Sequence, residues 1–120
     1  MTIINWRSVE PKVAHLQGES RSLLQHVSRA GAAPVMHGLR FVNRSRLARG
    51  ASHEPHRHED QEEVFYIVGG TGAVLLGEER HPVREGDAVY VPVGTMHGLI
   101  NDSADWLDFL AIGGPMGGSE

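Results

Sequence analysis

The chain has 120 residues, enough for one domain with a closed hydrophobic core and too few for two. Fifteen Asp/Glu against eleven Lys/Arg give a net charge of −4, and no basic run is present to follow a phosphate backbone, so nucleic acid is not an expected partner. The absence of Cys excludes disulfides, thiolate nucleophiles and thiolate-bound zinc, so any metal must be held by nitrogen and oxygen, for which eight His are available.

From the N-terminus, MTIINWRSVE lacks the basic-then-apolar order of a secretion signal, and no apolar run approaches the roughly 20 residues that span a bilayer. A soluble, cytoplasmic protein without a membrane partner is expected. The stretch 21–29 (RSLLQHVSR) fits a strand or a short helix and is read as a strand. Fifteen Gly and six Pro then cut the chain into segments too short for a helical apolar period. Strands are predicted at Gly38–Ala48, Val64–Val68, Ala73–Leu76, Asp87–Val91, His97–Ile100 and Trp106–Ile112, each bounded by turn residues. Short strands at near-regular spacing make an all-β sandwich or barrel. Along the first, Leu39, Phe41 and Leu47 share one face and Arg40, Arg44 and Arg46 the other, an ion-paired or solvated outer face. The VFYIV run at 64–68 is apolar on both faces, so its outer side calls for a second sheet or a second subunit, and a homodimer is expected. The tail GGPMGGSE, 113–120, has little to pack and is expected to be flexible.

Within 50–70, His56 and His58 are two apart, so in an extended segment both imidazoles project from one face. An acidic turn follows, and the apolar strand after it is expected to return beside the histidine segment as a hairpin, bringing Glu62 or Glu63 opposite the pair. His97, after the Pro92-Val93-Gly94 turn, supplies a third imidazole from another strand. Three imidazoles and a carboxylate suit one divalent transition ion (Fe, Mn, Ni, Zn, Co or Cu) and not Ca²⁺ or Mg²⁺, which prefer oxygen shells.

These two segments resemble the paired motifs of the cupin superfamily. The first, G-x5-H-x-H-x3-4-E-x6-G, is matched by Gly50, His56, His58, Glu63 and Gly70; the second, G-x5-P-x-G-x2-H-x3-N, by Gly86, Pro92, Gly94, His97 and Asn101. The resemblance implies a cupin double-stranded β-helix, a jelly-roll-like β-barrel, over 38–112, with 1–37 forming strands and an arm packed on the barrel or on a partner subunit. It implies metal ligation by His56, His58, Glu63 and His97. Glu63 is preferred over Glu62 because the longer spacing is that of metal-binding germin-like members. Gly86, Pro92, Gly94 and Asn101 are assigned to architecture. His53 is placed outside the ligand set, and His15, His26, His37 and His81 outside the site. Phe41, Phe65, Ile67, Leu99, Leu107 and Phe109 are candidates for lining a pocket by strand alternation; Tyr66, Tyr90, Trp106 and Asp108 receive no catalytic role. The implied function is a metal-dependent enzyme on a small oxygenated or carboxylated metabolite, dioxygenase-type first, with isomerase, decarboxylase or lyase chemistry also compatible. The alternative is a non-catalytic small-molecule-binding or sensing cupin domain.

Overall fold

The structure is a computed structural model, described over residues 3–14, 18–25, 33–34 and 36–116. His15, His26 and the end of the 21–29 segment lie outside the described residues. After a 3-10 turn at Trp6–Ser8, ten strands follow among the described residues: β1 (Lys12–Ala14), β2 (Gly18–Gln25), β3 (Ala33–Pro34), β4 (Phe41–Leu47), β5 (Gln61–Gly69), β6 (Thr71–Leu76), β7 (Glu79–Arg84), β8 (Ala88–Val91), β9 (His97–Ile100) and β10 (Leu107–Pro115). They form two facing sheets, one ordered β1-β2-β4-β10-β5-β8 with β3 beside β2, the other β7-β6-β9. This is the all-β cupin architecture expected, with the two sheets not joined into a closed barrel.

Alternation decides which side chains fill the space between the sheets. Glu63, Phe65 and Ile67 on β5 and Leu107, Phe109 and Ala111 on β10 point inward and are buried, meeting Val74 and Leu99 of the smaller sheet. Phe65 and Phe109 meet edge to face at 5.7 Å, and truncating a buried aromatic of this kind costs about 3–5 kcal/mol. On the outer side of β5, Tyr66 is exposed and Val64 and Val68 half-buried, so the described residues do not supply the second covering layer expected there. Arg40 pairs with Asp60, and Arg44 and Arg46 share Asp108, making the arginine row of β4 an ion-paired outer face.

Three sequence expectations are corrected. The histidine segment and β5 do not form a hairpin: β5 has both edges occupied, by β10 and β8, while 51–58 runs antiparallel along β9, bridged at Ser52↔Ile100 and His56↔His97. The acidic turn therefore crosses between sheets. A strand that was not predicted, β7, follows β6 across a tight turn at Gly77-Glu78; Pro82 is tolerated because β7 is an edge strand whose only partner among the described residues is β6. β10 continues through Pro115, with Gly113 opposite both Phe41 and Glu63, so the chain is still in the sheet where a flexible tail was expected to begin. A Cβ on Gly113 would fall 2.3 Å from the Phe41 ring, which explains why a residue with no side chain stands at this position of the strand.

The motif glycines Gly50, Gly70, Gly86 and Gly94 all have positive φ. At Gly70, φ is +90° and a Cβ would lie 2.4 Å from the Trp106 carbonyl oxygen, so both backbone conformation and close approach require glycine. Asn101 is a strut. Its buried amide donates to the carbonyls of Leu47 (2.9 Å) and Asp105 (2.7 Å), and its oxygen accepts from the amide (3.0 Å) and hydroxyl (2.7 Å) of Ser103. The end of β4 is thereby tied to the loop leaving β9.

Candidate metal centre

Two sheets contribute to one cluster. From the smaller sheet, the extended pairing of 51–58 with β9 sets His56 beside His97, the backbone amides of each donating to the other's carbonyl at 3.1 and 2.8 Å. The Gly94 amide donates to the His58 carbonyl at 2.7 Å, which fixes the next turn of chain. As a result His56, His58 and His97 offer ligand atoms all within 4.8 Å of one another. From the facing sheet, β5 aims Glu63 inward, its Oε1 3.3 Å from His58 Nε2 and 3.5 Å from His97 Nε2. Glu62, on the opposite face of β5, instead accepts a hydrogen bond from the Tyr90 hydroxyl at 2.8 Å. Alternation thus brings one of the two candidate carboxylates to the histidines and turns the other to the surface.

The orientation of two imidazoles follows from their neighbours. His97 Nδ1 lies 2.9 Å from the Thr95 carbonyl and His56 Nδ1 3.0 Å from the Glu54 carbonyl. A carbonyl only accepts, so each Nδ1 carries the proton and each neutral ring presents the Nε2 lone pair away from that carbonyl. Burial, helped by nearby His56 and His97, outweighs Glu63 and Asp60 and holds His58 below the ordinary imidazole value, keeping it neutral and able to ligate. For His97, burial also disfavours the charge, but the Glu63 carboxylate and the Thr95 carbonyl together hold it above that value.

The donor set fits a first-row divalent ion: imidazole nitrogens and one carboxylate, with no thiolate. Glu63 Oε1 and His97 Nε2 are buried and form no hydrogen bond, since 3.5 Å is too long for a good one. Buried polar atoms are rarely left so, and a cation between them would satisfy both. His97 is fully buried and Glu63 nearly so, whereas the His58 side chain is a third exposed, so the cluster opens to solvent on the His58 side.

On the interior side lies a cavity of about 60 Å³, bordered by His53, His56, Glu63, Phe65, Phe109 and, across from them, Ser20 and Ser45. Of the six apolar side chains expected to line a pocket, Phe65 and Phe109 do; Ile67, Leu99 and Leu107 are core, and the partly buried Phe41 packs against that core. Sequence reasoning missed Ser20 and Ser45; His53, expected outside the ligand set, borders the cavity beside it. Ser45 shares its face with Leu47, a signal that was available; Ser20 is brought opposite it by pairing of β2 with β4, and the two hydroxyls are 3.1 Å apart. His53 is buried, its Nδ1 accepting from the Leu99 amide at 3.4 Å. His37 and His81 are exposed and remote, as expected. Tyr66 and Tyr90 face solvent, and Trp106 and Asp108 lie on the outer face with Arg46. No helix among the described residues is long and apolar enough to cross a membrane.

The cupin domain pattern matches residues 43–113, which hold both histidine segments. An oxalate-binding protein of Thermotoga maritima is 32% identical over 79 residues, covering 65% of each chain. The pectin degradation protein KdgF of Dickeya dadantii is 30% identical over 55 residues, 46% of this chain and 50% of that one. The match to an uncharacterised Methanocaldococcus jannaschii protein is shorter, 39% identical over 38% of this chain and 37% of that one. The chain thus matches from over a third to just under two thirds of the length of these relatives. Among solved structures, a predicted oxalate decarboxylase of Thermotoga maritima superposes with a TM-score of 0.85 at 24% identity over 96% of this chain and all of that one. The polyketide cyclase RemF of Streptomyces resistomycificus gives 0.77 at 21% identity over 96% and 79%. With more than half its length matched by the family pattern and both motifs gathered at one point in the fold, the chain belongs to the cupin domain family.

Proposed function

We propose that the chain is a metal-dependent cupin acting on a small oxygenated or carboxylated metabolite, with His56, His58, His97 and Glu63 holding one divalent transition ion. The observation that carries this reading is the gathering of three imidazoles at one point, two of them within 3.5 Å of the buried Glu63 carboxylate, with Glu63 Oε1 and His97 Nε2 left without a hydrogen bond. A bound ion would supply Lewis-acid polarisation of a coordinated carboxylate or carbonyl oxygen.

The chain's own residues do the rest. The Glu54 and Thr95 carbonyls hold protons on Nδ1 of His56 and His97, keeping the Nε2 atoms free to ligate. The buried Glu63 carboxylate would offset part of a bound ion's charge where water is scarce. Phe65 and Phe109 wall off the interior, and a cavity of about 60 Å³ admits only a few non-hydrogen atoms beyond the cluster. Its Ser20 and Ser45 hydroxyls are the polar groups placed to meet the far oxygen of a short carboxylate. The names oxalate-binding protein and predicted oxalate decarboxylase, both given to Thermotoga maritima matches, support the same substrate class.

Calorimetric titration of the metal-loaded protein with oxalate and other short carboxylic acids, with oxygen uptake followed for the iron form, tests this. Expected is saturable binding of a short carboxylate that His58→Ala abolishes, with turnover marking the enzyme. Binding without turnover favours the non-catalytic barrel, and no binding of any such acid overturns the substrate class.

A further inference from the structure

The outer face of the larger sheet carries a second feature, on the side of β4 away from the metal cluster. Arg21 of β2 and Arg44 and Arg46 of β4, with Trp6, Ser45 and Asp108, border a surface cavity of about 120 Å³. That is room for an ion of several atoms rather than a single water. Cross-strand pairing creates the cluster, because Arg21 lies directly opposite Arg44 and Asp108 opposite Arg46. Like charges set opposite one another on a sheet repel unless something of opposite sign lies between them.

The carboxylates within reach do not balance these cations. Among the described residues, Asp108 Oδ1 is 3.2 Å from Arg46 Nε and 3.8 Å from Arg44 Nη2, and Glu19 is 3.7 Å from Arg21 Nη1. One carboxylate thus serves two guanidiniums, and neither contact is the two-bond fork that a guanidinium and a carboxylate make at their best. Fifteen N–H groups belong to the three side chains, and among the described residues they make one hydrogen bond, from Arg21 Nε to the Val9 carbonyl at 3.1 Å. The Arg46 Nε is buried and makes no hydrogen bond despite its nearness to Asp108.

The rings position the cations without using their donors. Trp6 has the guanidinium carbons of Arg44 at 4.3 Å, Arg7 at 4.6 Å and Arg21 at 5.1 Å, and Trp106 has that of Arg46 at 3.8 Å. Stacking occupies the flat faces of the guanidiniums and leaves their N–H edges for another partner. Four arginines against Glu19 and Asp108 make this a cationic patch on a chain whose net charge is −4.

We infer that this cavity is a binding site for a small oxyanion of phosphate type, held by Arg21, Arg44 and Arg46 and separate from the metal centre. The cluster has the planar donors in excess that tetrahedral and carboxylate oxyanions select. The site does not depend on the metal reading, because Arg21, Arg44 and Arg46 alternate with Ser20, Ser45 and Leu47 and lie on the face of the sheet away from Glu63, with the backbone of β4 as the wall between the two cavities.

The test uses the full chain and inorganic phosphate, with chloride at matched ionic strength as the control. Proton–nitrogen spectra should show the Trp6 indole N–H shifting saturably with phosphate and not with chloride. The same shift should persist in His58→Ala and weaken at least tenfold in Arg44→Gln and in Arg21→Gln, with Arg44→Lys intermediate. Absence of a saturable shift in the unmodified protein overturns the site without relying on any variant. So does a shift abolished by His58→Ala, which would put phosphate at the metal centre. A shift that follows protein concentration and sedimentation to a dimer would assign the arginines to a second copy of the chain and overturn it as well.

Discussion

Asn101→Ala should be among the most damaging single changes outside the metal cluster. Asn101 is 1% exposed and its side chain makes four hydrogen bonds, to the Leu47 and Asp105 carbonyls and from the Ser103 amide and hydroxyl. Alanine leaves the Leu47 carbonyl unpaired in the interior, while the Asp105 and Ser103 groups near the surface recover water. At about 1–2 kcal/mol for the buried group and about 0.5 kcal/mol for each of the others, the loss is about 3 kcal/mol. An unfolding entropy of about 2.1 cal/mol/K per residue gives roughly 0.25 kcal/mol/K for this chain, so the melting temperature should fall by about 12 °C. Asn101→Asp should be no better, since it turns a carboxylate oxygen toward two carbonyls that now receive an N–H. Calorimetric melting of the metal-free proteins measures both. A fall of less than about 4 °C in each would refute the strut.

Glu63→Gln should weaken metal affinity by about 100-fold or more, while Glu62→Gln, whose carboxylate meets only Tyr90, should leave it unchanged; competition with a chromogenic chelator reads both. Metal affinity should rise with pH, because protons compete for the imidazole nitrogens. The proton on His97 is held above the ordinary imidazole value of 6.5, so the decline on acidification should begin above that pH and deepen below it; retention that is flat down to about pH 5 would exclude histidine ligation. The half-buried Val64 and Val68 with the exposed Tyr66 and Tyr90 on the outer side of β5 and β8 should pair two chains, so sedimentation should give a dimer that Tyr66→Lys dissociates, and a monomer would contradict it.

The histidines were legible because ligation demands them at fixed spacing, and the glycines because their positions need positive φ. Neither requirement depends on knowing which strands pair. The partner of the histidine segment was not legible: proximity in sequence favoured a hairpin with β5, but β5 is buried between β10 and β8, and the free edge of β9 accepted 51–58 instead. β7 escaped notice because four of its six residues are charged or His and a fifth is Pro, a composition that an exposed edge strand allows and a central one does not. The pairing of Ser20 with Ser45 and of Arg21 with Arg44 rests on a register that shifts between Ser22 and Leu24, which no alternation pattern announces. The continuation of β10 through Gly113 and Gly114 depends on the Phe41 ring covering a position where low propensity alone argues for loop.

Metal content per chain, measured by elemental analysis of the purified protein and of His58→Ala, tests the central claim most directly. The His58 side chain is a third exposed while those of Glu63 and His97 are buried, so its loss removes a ligand with little damage to packing. The account predicts one divalent transition ion per chain in the unmodified protein and its loss in the variant, with the fold retained. A protein that takes up no such ion when supplied with it, or one whose full occupancy survives His58→Ala and Glu63→Ala together, would contradict it.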